Sequence, residues 1–207
     1  MEAVRRLSTV IVFKGEEREK DMDTSTRQLK LMVYSALMAT LTAVGAYIAI
    51  PIGPVPIVLQ NLFVMLAGLL LGGRWALISI GVYLLAGIVG LPVFAGGTGG
   101  IGKLVGPTGG YLLGFAAAAY WIGTISEKGN RSILVDIFAM VTGTLIIYLF
   151  GVSWLKIVTG MSFSKAITVG MVPFLIGDVL KIAAAVPIAR ALRPMIGDKL
   201  GVLQPVN

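Results

Sequence analysis

The chain has 207 residues, of which 57% are apolar and 13% charged, with a net charge of +7 and neither cysteine nor histidine. A soluble globule averages about 45–50% apolar and about 25% charged residues, so this composition excludes a water-facing surface over most of the length. The absent residue types exclude disulfides, thiol nucleophiles, imidazole bases and the usual Cys/His zinc sites.

Charge divides the chain before hydropathy does. Residues 1–30 hold thirteen of the 27 charged side chains. Residues 1–28 therefore read as a cytoplasmic N-terminal tail, poorly ordered over 1–24, and the run Leu7 to Phe13 is too short for a signal peptide. The remainder of the chain is apolar in runs too long and unalternating for barrel strands, which predicts an all-α integral membrane bundle of six helices over 29–195. The first runs from Leu29 to Ile50, opened by Ser25 and Gln28 at capping-box spacing. The second, Val58 to Leu71, is about 21 Å long against a hydrocarbon core of about 30 Å, so it does not span alone. The uncharged, proline-broken stretch from Pro51 to Pro56 is expected to fold inward over the helix ends. Further helices are predicted from Arg74 to Gly90, Gly110 to Ile125, Ser132 to Val152 and Pro173 to Leu192. Residues 153–170, with Trp154 and Lys156, read as a short interfacial segment, and 196–207 as a cytoplasmic C-terminal tail.

Lys and Arg fix the expected orientation, because cytoplasmic loops carry the excess. Thirteen of the 17 fall in the N-terminal arm, the second and fourth loops and the C-terminal end, against Lys103, Lys156 and Lys165 on the other side. Both termini are expected in the cytoplasm of a multi-pass protein of the cell membrane. Topology thus accounts for the positive charge, and no nucleic-acid partner is implied.

Residues 95–111 contain two nucleotide-like patterns. Gly97, Gly99 and Gly102 satisfy G-x-G-x-x-G, and Gly97, Gly102 and Lys103 begin a P-loop, but Leu104 stands where Ser or Thr would hold magnesium. Both patterns need a preceding strand, and here a membrane helix precedes, so no nucleotide site is expected. Leu91, Pro92, Val93, Phe94, Ile101, Leu104 and Val105 instead predict a Gly/Pro-rich outer loop that packs over a cavity between helices.

An ionisable residue inside a membrane is a candidate functional residue. Asp178 and Lys181, three apart in the sixth helix, share a face. Asp136 is expected to be a solvated or capping carboxylate near the cytoplasmic surface. Lys103, with Gln60 and Asn61 at the start of the second helix, completes a polar set on the outer side. One carboxylate, two ammoniums and a few amides suit a small ligand with N–H donors at one end and a carboxylate at the other.

Three stretches carry a family resemblance: Leu91 to Gly97 with Gly106-Pro-Thr-Gly-Gly-Tyr-Leu-Leu-Gly-Phe, Pro54-Val-Pro-Ile-Val-Leu-Gln60, and Pro173-Phe-Leu-Ile-Gly-Asp-Val-Leu-Lys181. Over about residues 31–195 the chain resembles the BioY family, the biotin-binding S-components of energy-coupling-factor transporters. The resemblance implies a six-helix protein that binds biotin from outside and works with a transmembrane T-component and two cytoplasmic ATPases, with no cofactor or metal. It implies that Asp178 holds the ureido end of biotin while Lys181 and Lys103 neutralise the valerate carboxylate, with Gln60, Thr98 and Tyr111 lining the pocket. It also implies docking to the T-component through small residues at four-residue spacing on the first helix, a pattern that Ser35, Ala39 and Ala43 fit. In one respect the chain departs from the family: Gly96 and Gly97 stand where an amide side chain is often found.

Two other classes of function compete. A membrane enzyme acting on a lipid or isoprenoid needs paired acids or a His/Glu set, and no two carboxylates fall within a turn of each other inside the bundle. A solitary proton-coupled carrier of a small anionic, vitamin-like solute would use Asp178 as its relay. The chain lacks a complete Walker motif, so energy must come from a partner or a gradient.

Overall fold

The computed structural model describes the backbone of residues 2–50 and 54–200, and the side chains of residues 24–49 and 54–196. The expected tails fall largely outside the residues described with side chains, as do residues 51–53 of the proline stretch. In chain order the elements are α1 (Glu2–Tyr47), β1 (Ala49–Ile50), β2 (Ile57–Val58), α2 (Gln60–Leu71), α3 (Gly73–Ile88), α4 (Gly102–Val105), α5 (Gly109–Lys128), α6 (Ile133–Thr159), α7 (Phe163–Gly170), a 3-10 turn (Val172–Phe174) and α8 (Leu175–Leu200). The fold is all-helical apart from a two-stranded antiparallel hairpin that pairs Ala49 with Val58 across the proline stretch.

Among the described residues, three helical stretches are long and apolar enough to cross a membrane: Thr24–Tyr47, Ile133–Thr159 and Phe163–Ile196. Their outward faces carry Val33, Leu134, Leu149, Ile176 and Val179, all exposed. Continuous apolar surface of that kind belongs against lipid. The inward faces meet through small residues. The Ile122 side chain of α5 lies in notches at Gly68 of α2 and Gly143 of α6, where an added Cβ would come within 2.8 and 2.6 Å of it. Such notches let helices approach where the hydrophobic effect does not drive them together.

Several sequence-based boundaries move. Ser25 and Gln28 lie within α1 rather than capping its start. The fifth predicted helix runs on to Thr159, so Trp154 and Lys156 belong to its last turns; Gly160, at φ +69°, ends it in the left-handed conformation glycine favours. Only the later part of the expected interfacial segment is separate, as α7, whose N-cap Ser162 accepts from the Lys165 amide. A four-residue helix, α4, interrupts the glycine loop.

The expected docking stripe on the first helix is partly covered by the chain's own helices. Ser35 and Ala39 are buried, and Ala43 is half-buried against the core. The Ser35 hydroxyl donates to Trp75 O at 3.3 Å, and its carbonyl accepts from the Ser79 hydroxyl at 2.8 Å, which fixes this face against α3. One residue further round, Ala36, Thr40 and Val44 repeat the same four-residue spacing on the uncovered face.

Candidate functional site

A cavity of about 140 Å³ opens where the hairpin, the glycine loop, the first turns of α2, α5 and α8 and the middle of α6 meet. A single water needs about 10–15 Å³ measured in this way, so the space suits a ligand rather than a bridging water. Pro54, Val55 and Pro56 form part of its wall, in keeping with a proline stretch folded over the helix ends. Phe94, Tyr111, Phe115, Tyr148 and Phe174 contribute aromatic walls. Phe94 is held from behind by Tyr83, edge to face at 5.5 Å between ring centres.

The glycine loop is tied down by its backbone. Phe94 N–H donates to Thr98 O at 2.8 Å, Gly100 N–H to Gly87 O at 2.7 Å and Gly96 N–H to Ala46 O at 3.2 Å. The turn between the first pair needs positive φ at Gly96 and Gly97, which side-chain-bearing residues rarely adopt. The loop follows α3 rather than a strand, so the context a phosphate-binding loop requires is missing. Its apolar residues divide: Phe94 is buried and lines the cavity, whereas Leu91, Ile101 and Val105 are exposed.

Six polar residues singled out from sequence line this cavity together: Gln60, Asn61, Thr98, Lys103, Tyr111 and Lys181. Lys181 is 8% exposed, whereas Lys103, on α4, is exposed and sits at the rim. The Thr98 hydroxyl donates to Ala95 O at 3.0 Å within its own loop, and the Tyr111 hydroxyl donates to Gly170 O at 2.7 Å. Tyr111 reaches that position because Gly151 lets its ring lie against α6; a Cβ there would stand 2.3 Å from the ring.

Asp178, expected to contact the ligand, lies beside the lining residue Lys181. It is 3% exposed and is not part of the cavity lining. Its Oδ1 accepts from Lys181 Nζ at 3.3 Å, and its Oδ2 accepts from the Tyr148 hydroxyl. The carboxylate therefore ties together two lining residues. An ammonium has three N–H donors, so Lys181 gives one to Asp178 and keeps two for the cavity. Tyr148 escaped the sequence reading; the one available signal was a lone hydroxyl in the apolar run of α6.

Two amides beside these lysines are unsatisfied. Gln60, 1% exposed, has no partner for Nε2, and Asn61 has none for Oδ1; the Tyr83 hydroxyl is the third such group among the described residues. Each buried polar group left unpaired costs about 1–3 kcal/mol, so a wall that keeps two amides in this state is not a packed core.

The far end of the same helices is built oppositely. Asp136, expected to be solvated, is 1% exposed. Its two oxygens take the Arg193 guanidinium at 2.6 and 3.0 Å, and Oδ1 also accepts from the Ser126 hydroxyl at 2.6 Å. Arg193 donates as well to Ser126 Oγ at 3.0 Å, to Leu69 O at 3.1 and 3.2 Å, and to Arg131 O at 3.1 Å. The charge is thereby matched and the carboxyl end of α2 is capped. In the loop beside this cluster, burial together with the nearby Arg193 lowers the affinity of the Arg131 guanidinium for its proton, against the pull of Glu127 and Asp136.

A family model described as the BioY family matches residues 17–198. A protein of Pyrococcus horikoshii named "Probable biotin transporter BioY" is 44% identical over 158 residues, covering 76% of this chain and 93% of its own length. A "Biotin transporter BioY" of Thermotoga maritima is 41% identical over 167 residues, covering 81% of this chain and 98% of its own. The crystal structure of an S-component for biotin from an ECF-type ABC transporter superposes with a TM-score of 0.76 at 32% identity, covering 81% of this chain and 92% of that one.

Proposed function

The chain belongs to the BioY family, a family of transporters and not of enzymes, and on that premise we propose that it is the biotin-binding S-component of an energy-coupling-factor transporter. One observation carries the reading: Lys181 and Lys103 edge a cavity whose walls also carry the aromatic rings of Phe94, Tyr111, Phe115, Tyr148 and Phe174. An anionic chain ending in a carboxylate finds its charge partners there, and an apolar ring finds flat surfaces. Asp178 holds the Lys181 side chain in place at the cavity.

In this reading the six long helices α1, α2, α3, α5, α6 and α8 form the membrane bundle, with both termini in the cytoplasm. A T-component and two ATPases supply the energy, since the chain has no complete Walker motif. Docking to the T-component falls to the uncovered face of α1, at Ala36 and Thr40, where small side chains admit a close partner helix. Titration of the detergent-purified chain with biotin tests the binding half, and failure to bind refutes it. Reconstitution with the T-component and ATPases tests the rest. Ala36→Trp is expected to leave biotin binding unchanged and to abolish ATP-dependent uptake. Uptake by the isolated chain under a pH gradient alone would favour a solitary carrier instead.

A further inference from the structure

Gly87 lies inside the last turn of α3 and is not among the glycines at positive φ, so the backbone there does not call for glycine. Alanine would favour the helix more. What calls for glycine is Phe94: an added Cβ at position 87 would stand 2.0 Å from the tip of the Phe94 ring and 2.3 and 2.5 Å from the two carbons beside the tip. The ring thus enters α3 as a peg enters a socket. Tyr83, one turn earlier on the same helix, meets that ring edge to face. The Gly87 carbonyl serves the same loop, because it accepts from the Gly100 amide at 2.7 Å just past the turn that Phe94 and Thr98 close. Both flanks of that turn are therefore tied to one residue of α3.

Phe94 is buried with α3 behind it and Tyr83 against it, and the open space that it borders is the cavity. Ordinary contact begins at 3.4 Å, so a methyl group at position 87 drives the ring tip back by about 1.4 Å. A close-packed interior does not absorb a shift of that size without moving its neighbours. We infer that Gly87 is a positioning residue for binding: by lacking a side chain it stows the Phe94 ring in α3 and keeps the cavity wide enough for its ligand. Gly87 is not part of the lining and acts only through Phe94. The inference rests on biotin as ligand.

A double-mutant cycle on the purified full chain, read by biotin titration with thermal melts in the same detergent, tests the socket from both sides. Gly87→Ala is expected to weaken biotin binding at least tenfold. Phe94→Leu lacks the ring atoms that reach Gly87, so adding Gly87→Ala to it is expected to cost less than threefold beyond Phe94→Leu alone. A general folding defect would cost the same in both backgrounds. Phe94→Tyr reaches the socket from the loop side, because its hydroxyl extends the ring tip into Gly87. At least a tenfold loss is expected, although tyrosine is accepted elsewhere in the wall at Tyr111 and Tyr148. This variant stands in should Gly87→Ala fail to show a cooperative melt. Equal losses from Gly87→Ala in the two backgrounds overturn the inference, as does a loss under threefold in Gly87→Ala or in Phe94→Tyr. Absence of biotin binding by the unaltered chain refutes the proposed function and this inference with it, an outcome distinct from both.

Discussion

Replacing Lys181 by methionine removes the one buried ammonium in the cavity wall while keeping the length of the side chain. Two effects separate. A charge-assisted hydrogen bond contributes about 1.5–3 kcal/mol, and each 1.4 kcal/mol is tenfold in affinity, so biotin should bind roughly 10- to 150-fold more weakly. Folding also suffers, because Asp178 is left with Tyr148 alone. Breaking a buried pair from one side costs about 3–5 kcal/mol, although removing both charges together is often nearly neutral. The double variant Asp178→Asn/Lys181→Met should therefore regain most of the melting temperature lost by Lys181→Met and none of the affinity. Lys103 is exposed, where ion pairs are weak, so Lys103→Met should cost less than about fivefold. Calorimetric titration with biotin and thermal melts in one detergent measure all three. Equal losses at the two lysines, or affinity restored in the double variant, would refute the assignment of Lys181 to the ligand and Asp178 to support.

The cluster at the far end should behave as structure alone. Arg193→Met is expected to lower stability by about 3–5 kcal/mol in detergent melts, because Asp136 keeps a buried charge without its partner, and to leave the biotin affinity of the folded fraction within about threefold. At Gly151 an added methyl meets the Tyr111 ring, so Gly151→Ala should cost about 1–3 kcal/mol of combined stability and affinity, read from the same melts and titrations. Tyr111→Phe, which loses only the bond to Gly170 O, should cost about 1 kcal/mol.

The sequence disclosed what depends on length and short spacing. The apolar runs marked the long helices, since a membrane leaves few other ways to satisfy the backbone. The i,i+3 spacing of Asp178 and Lys181 announced their pairing. Choices set by distant partners stayed hidden. The first helix carries two stripes of four-residue spacing, Ser35/Ala39/Ala43 and Ala36/Thr40/Val44, and the packing of α2 and α3 decides which one is covered. Asp136 lies near a helix end by count, which suits a solvated carboxylate, but its partner Arg193 is 57 residues away in the chain. The second partner of Asp178, Tyr148, stands 30 residues earlier on α6 and left no local signal.

The two polar sites use the same helices at opposite ends, and their contrast bears on how a membrane bundle tolerates a cavity. Tyr148 lies about 18 Å along α6 from Asp136, and Lys181 about 18 Å along α8 from Arg193. Without a hydrophobic drive between helices in lipid, packing and hydrogen bonds must hold them together. At one end Arg193 joins α2, α5, α6 and the loop before it through six hydrogen bonds. Those bonds fix helix positions without help from the outer end, so the outer end need not be close-packed. It can keep open space, half-engaged lysines and unpaired amides, all of which lower stability until a ligand arrives. Loosening the Arg193 end should therefore harm folding first and binding only as a consequence, whereas filling the outer cavity with apolar side chains should stabilise the chain while removing its ability to bind.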